Sequence, residues 1–149
     1  MALKEQLDAD LKTAMKEKAT LKLSVVRMLK SAVKYREIEL MKPLDDAGVQ
    51  TVIGSEIKRR RDSVEQYRQG GREELAAKEE AEIAILQGYQ PAQLSPDELG
   101  KLVDGVIARV GAQGPKDMGK VMKELVLEVA GKAEGKVVSE MVKAKLAPK

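Results

Sequence analysis

Two glycine–lysine pairs near the C-terminus, Gly119-Lys120 and Gly135-Lys136, are the residues here whose types and spacing point to chemistry. Each opens an octet, and the octets GKVMKELV and GKVVSEMV agree at five of eight positions. Apolar residues follow at helical spacing: Val121, Met122, Leu125 and Val129 after the first pair, Val137, Val138, Met141 and Val142 after the second. The spacing predicts a short helical hairpin with a Gly-Lys at or near the start of each helix. Gly131 and Gly135 bracket the turn. The first turn of a helix leaves backbone N–H groups unpaired and holds the positive end of the helix dipole. Glycine lets a second backbone come close. A lysine at that position works against the isolated helix by a few tenths of a kcal/mol. A sequence that makes this choice twice is a candidate for binding an anion such as a phosphate. The plainer reading is a glycine that eases a turn and a lysine that is merely solvated; the motif alone does not exclude it.

Other chemistry is scarce. The chain of 149 residues has no Cys, His, Trp or Phe. Without Cys there is neither a disulfide framework nor thiolate chemistry. Without His the usual general base and the commonest transition-metal ligand are missing. The run containing Glu73, Glu74, Glu79, Glu80 and Glu82 lies in a helix-forming stretch with no metal-binding loop, and reads as solvated surface. No catalytic residue, metal site or cofactor is expected. In Lys58-Arg59-Arg60-Arg61, Arg60 follows Ile57 by three and precedes Val64 by four, so it faces the apolar seam or its edge, and pairing with a carboxylate is favoured over phosphate binding. Glu56, Asp62, Glu65, Glu73 and Glu74 are the candidates. Arg59 and Arg61 point elsewhere. The lysines and arginines between Lys16 and Arg36 offer a basic face for nucleic acid, but a solvated face whose lysine stems cover apolar surface is the better reading.

The elements that must position these residues are all helical. Core vocabulary is Leu, Val, Ile and Met with abundant Ala, Glu and Lys, and no segment alternates as a strand would. Leu3, Leu7, Leu11 and Met15 mark a first helix to about Lys18. Thr20 is placed as the cap of a second, whose stripe runs from Leu21 through Val33, Tyr35 and Ile38 to Leu40. Lys42-Pro43 stops it. Asp45 or Asp46 caps a third helix, about Ala47 to Tyr67. Gly70-Gly71 ends that one, and a fourth spans about Arg72 to Gln87, with Leu75, Ala76, Ile83 and Leu86 inward. After the break at Gly88–Leu94, Ser95, Pro96 and Glu98 form a helix start with a capping box. Gly111 closes that helix. The expected architecture is an all-α chain: an N-terminal helical, hairpin-type domain over residues 1–91 and a small three-helix C-terminal domain over 92–149. Net charge is +3, but residues 1–42 carry +4, 43–115 carry −4 and 116–149 carry +3. Basic ends suit a polyanion partner. No apolar run is long enough to span a membrane. The charge-studded first dozen residues do not resemble a secretory leader, so the expectation is a cytoplasmic protein.

The runs Asp117–Lys123 and Gly131–Glu140 resemble the GatB/YqeY family. So do Arg27–Ala32, Lys58–Ser63, Gly71-Arg72, Glu79–Leu86 and Pro91–Ser95. The resemblance covers nearly the whole chain. It implies two all-helical pieces, related to the non-catalytic tail of the GatB component of the glutamine-dependent Asp/Glu-tRNA amidotransferase, a carbon–nitrogen ligase whose tail contacts tRNA. It also implies a site made of Lys116, Lys120, Lys132, Lys136 and Lys143, with Gly119 and Gly135 allowing close approach. Two departures stand out. Lys132 replaces the usual arginine and forgoes its bidentate fork, and Glu134 replaces an aspartate, a better cap. The function expected is a tRNA-binding accessory module, alone or beside amidotransferase subunits. The alternative is a protein–protein adaptor docked on an amidotransferase or another partner.

Overall fold

The computed structural model describes residues 2–129 and 131–148. These form an all-α fold of seven α-helices and one 3-10 turn, with no strand among the described residues. Helices α1 (Leu3–Glu17), α2 (Thr20–Leu40), α3 (Asp46–Gln69) and α4 (Glu73–Gln87) belong to one compact unit, Met1–Gln90. Helices α5 (Pro96–Val110), α6 (Met118–Val129) and α7 (Gly135–Leu146), with the 3-10 turn Pro115–Asp117, belong to a second, Pro91–Lys149.

The first unit is built on apolar stripes: Leu3 and Leu7 of α1, Val25, Val26, Leu29 and Val33 of α2, Val49, Ile53 and Ile57 of α3, Ile83 and Leu86 of α4. The adjacent aspartates cap two different helices. Asp45 accepts from the Gly48 N–H at 2.8 Å and starts α3, while Asp46 accepts from the Leu3 N–H at 2.9 Å at the start of α1. Thr20 is not a cap. It is the first residue of α2, which Ala19 precedes without any side-chain cap. The α2 stripe also ends sooner than expected. Val33 is its last buried residue, and Tyr35, Ile38 and Leu40 are exposed. Four residues after Val33 the inward face continues at half-buried Glu37, which holds Lys4 of α1 at 2.6 Å, whereas Tyr35 and Ile38 stand off that face. Met15 and Leu75, expected inside, are exposed as well.

Arg60 is buried, as its spacing requires. Its Nη1 donates to Glu56 Oε2 at 2.7 Å and to the Glu56 carbonyl at 3.2 Å, and its Nε lies 3.9 Å from Glu82 Oε1. Glu56 is among the expected partners, whereas Glu82 is expected on the surface. It is 7% exposed, so the acidic run of α4 is not wholly solvated. Burial first, and then the Glu82 charge, push the neighbouring Glu79 carboxyl above its ordinary value.

The second unit has its own core: Leu99, Val103 and Val106 of α5, Val121, Leu125 and Val129 of α6, Val138, Val142 and Leu146 of α7. The α5 capping box is complete. Ser95 Oγ accepts from the Glu98 N–H at 3.1 Å, and Glu98 Oε1 accepts from the Ser95 N–H at 3.2 Å. The segment before α5 is tied to the turn between α6 and α7: the Leu94 N–H donates to the Lys132 carbonyl at 2.8 Å, and Gln93 Nε2 to the Gly131 carbonyl at 2.9 Å. Gly131 holds φ +84°, a left-handed conformation that favours glycine.

Candidate nucleic-acid interface

The start of α6 is more elaborate than a bare helix tip. The 3-10 turn precedes it, and in that turn the Asp117 N–H already bonds the Gly114 carbonyl and the Met118 N–H bonds the Pro115 carbonyl. Gly119-Lys120 therefore sits a turn inside the helical run, not at its leading edge. Asp117 Oδ2 accepts from the Gln113 N–H at 3.0 Å. That backbone bond first, then the Gly114 amide and the charges of Lys120 and Lys116, hold the Asp117 carboxyl below its ordinary range. The helix start thus carries its own anion beside the two lysines expected to meet a phosphate. Sequence reasoning missed Asp117 as a competitor, although an aspartate just before a helix start is an ordinary capping signal.

At α7 the arrangement is simpler. Glu134 is extended, and its carboxylate makes no cap bond to the helix. The Val138 N–H donates to the Glu134 carbonyl at 3.0 Å, the first bond of the helix. Gly135, Lys136 and Lys132 are exposed. The Lys132 backbone is pinned at both ends, its N–H to Val129 and its carbonyl to Leu94, while the side chain is left in solvent. Lys143 is exposed beside buried Val142.

Gly119 and Gly135 do not serve turns. Neither has a positive φ, and a Cβ at either would meet nothing within 4 Å. The room beside them is open, as it is at Gly54, Gly100 and Gly105, so openness alone does not single them out.

The fold keeps the two Gly-Lys pairs apart. Five residues link α6 to α7, so Gly135 follows closely on the end of α6. Gly119 lies ten residues before that end, about 15 Å along the axis at 1.5 Å per residue. The lysines form two groups. Lys116 and Lys120 lie four residues apart around the Asp117 carboxylate. Lys132 and Lys136 flank the start of α7, and Lys143 continues the Lys136 face two turns on, with Glu140 between them. All five are exposed, and none forms an ion pair among the described residues. By contrast, Arg109 is held by Glu128 at 2.7 Å and Lys145 by Asp104 at 2.8 Å. Among the described residues no helix is long and apolar enough to cross a membrane, and no cluster of three or more His, Cys, Asp or Glu is placed to hold a metal.

Comparison with known proteins gives the chain its relatives. A family model described as YqeY-like protein matches residues 4–146. Three fungal proteins named "altered inheritance of mitochondria protein 41, mitochondrial" are similar. That of Pyrenophora tritici-repentis is 30% identical over 144 residues, covering 95% of this chain and 77% of the relative. That of Lachancea thermotolerans is 29% identical over 94% of this chain and 76% of the relative. That of Eremothecium gossypii is 32% identical over 68% of this chain and 57% of the relative, so there the match spans little more than half of the longer protein. The expectation of a cytoplasmic protein is overturned by these relatives, each of which is designated mitochondrial. Charged residues near the N-terminus describe the solvated side of α1 and carry no information about compartment.

Proposed function

The chain belongs to the YqeY-like protein family, and from that premise we propose that it is a non-catalytic module binding structured RNA, tRNA first, through its C-terminal unit. The observation that carries the reading is that Lys116, Lys120, Lys132, Lys136 and Lys143, the positions the resemblance marks, are all exposed and without an ion pair among the described residues; Lys101 and Lys123 of the same unit are so too, while Arg109 and Lys145 are engaged. Resemblance to the tRNA-contacting GatB tail of the amidotransferase supports the same partner and suggests work beside such an enzyme. The relatives' names add a compartment, mitochondria, and nothing about RNA. Absence of His and Cys from the sequence removes the commonest catalytic groups, so the ligase chemistry is assigned to partners.

Binding of this kind neutralises phosphates and releases counterions, so affinity falls with salt by a slope of roughly 0.7–0.9 per contact. Folded tRNA is titrated at about 50 and 200 mM salt. Because Lys120 and Lys136 lie in separate groups, Lys120→Glu and Lys136→Glu each lower affinity and slope, and the double variant lowers both further. Binding unchanged in the double variant removes these lysines from the site. An adaptor reading rests on a different observation: Val126 and Leu127, large apolar side chains on α6, are 57% and 74% exposed. Capture of a partner protein that survives nuclease treatment and is lost on Leu127→Asp favours it.

A further inference from the structure

We propose that the groove between α2 and α3 of the first unit is a stacking site for one unpaired nucleotide of a bound RNA, with Tyr35 as the platform and Arg59 as the phosphate contact. The inference rests on the RNA reading above and adds a contact that reading lacks.

Aromatic rings are rare in this chain: three tyrosines and no Trp or Phe. Tyr89 is buried with its hydroxyl on Asp10, and Tyr67 is half-buried against the core. Tyr35 is 66% exposed, on the stretch of α2 that runs past its last buried residue. It borders a groove of about 660 Å³, inside the roughly 300–1,000 Å³ typical of small-ligand clefts.

The opposite wall fits a nucleotide. Ser55 and Arg59 of α3 line it, while Ser31 and Arg36 lie on the α2 side with Tyr35. Arg59 lies 3.7 Å from Glu56 Oε1, but Glu56 Oε2 is already held at 2.7 Å by buried Arg60. One carboxylate is thus shared by two guanidinium groups, and the exposed one, Arg59, keeps most of its hydrogen-bonding capacity. Arg36 is only loosely paired with Glu39, at 3.6 Å, and is solvated. A ring that can take any base face, a guanidinium fork matched to phosphate oxygens and hydroxyls for a ribose are the ingredients of sequence-tolerant binding to unpaired RNA. A purely apolar occupant would leave two arginines and two glutamates of the groove facing hydrocarbon.

The test uses the full chain and two probes, a folded tRNA and an unpaired oligo(A) eight nucleotides long. In the absence of Trp, intrinsic fluorescence reports the three tyrosines, and oligo(A) quenches it in the wild type. Affinity is read independently from the anisotropy of labelled oligo(A). Tyr35→Leu weakens oligo(A) binding roughly 5- to 150-fold, the range of one base–aromatic stack. Tyr35→Phe, which keeps the ring, stays near wild type. Arg59→Gln lowers the salt slope by about 0.7. Circular dichroism confirms that each variant remains folded. Unchanged oligo(A) affinity in Tyr35→Leu overturns the stacking site. If Lys120→Glu/Lys136→Glu still weakens tRNA binding in that case, the RNA reading itself survives. Equal losses in Tyr35→Leu and Tyr35→Phe overturn the platform role. A wild-type chain that binds neither probe overturns both readings.

Discussion

Replacing Arg60 with methionine tests the strongest electrostatic commitment in the first unit. Arg60 is 5% exposed and holds Glu56 at 2.7 Å, with Glu82 at 3.9 Å on the facing helix α4. Both carboxylates are buried, and Glu79 beside them is already pushed upward by burial and by Glu82. Arg60→Met leaves Glu82 without its cation and Glu56 with only the exposed Arg59 guanidinium, 3.7 Å away. Removing one side of a buried pair destabilises by about 3–5 kcal/mol. For a unit of this size, that lowers the melting temperature by on the order of 12–40 °C. Urea unfolding followed by circular dichroism at pH 7 measures the loss. A companion variant, Arg60→Met/Glu56→Leu/Glu82→Leu, puts apolar groups at all three positions and recovers most of the loss, because the cost belongs to orphaned charge and not to the missing side chain. If Arg60→Met unfolds within about 1 kcal/mol of wild type at pH 7, the arginine is not the counter-ion that keeps these carboxylates inside.

Two further outcomes concern the second unit. Leu125 is fully buried in a core of nine residues, and Leu125→Ala costs about 2–5 kcal/mol; hydrogen exchange then shows α5–α7 unprotected while α3 and α4 stay protected, and tRNA affinity is lost with the C-terminal unit. Asp117→Asn keeps an acceptor for the Gln113 N–H but removes the anion beside Lys116 and Lys120; tRNA binding tightens about two- to fivefold at 50 mM salt and much less at 200 mM, since salt screens exposed charges, and no gain at low salt would show that these two lysines do not meet phosphate.

What the sequence discloses here is what depends on neighbours in the chain. The Ser95–Glu98 capping box, the Asp45 cap and the burial of Arg60 all follow from spacings of three or four residues, and all are present in the structure. The misreadings involve partners far along the chain. Asp46 caps α1 across 43 residues. Glu82 reaches Arg60 from another helix. The stripe of α2 looks continuous to Leu40, yet its inward face passes from Val33 to Glu37, which pairs with Lys4 across 33 residues, and leaves Tyr35 and Ile38 outside. The same limit applies to the Gly-Lys pairs. Their resemblance suggests one site, whereas the length of α6 places them at separate points.

That separation bears on the kind of recognition the chain can perform. In the first unit Lys4 holds Glu37, Lys30 holds Asp8, and Arg68 holds Glu73 and Glu80, while the other eight lysines have no ion pair among the described residues. Exposed pairs of this sort add little stability, so a fold gives up little by leaving lysines unpaired, and each one left free keeps its full field for a partner. Among its described residues the second unit leaves seven lysines without an ion pair, Lys101 and Lys123 besides the five of the proposed interface. In the proposed reading those five follow a phosphate backbone at several points but present no fork to a base edge; contacts of that kind set position and affinity, not sequence. In the proposed RNA reading, discrimination among RNAs therefore has to come from the shape that brings both groups of lysines onto backbone together, or from an exposed ring elsewhere in the chain. Tyr35 is the exposed tyrosine. A comparison of folded tRNA with an unpaired strand of equal charge separates these two sources, because only the folded molecule can satisfy the first and only a free base can satisfy the second.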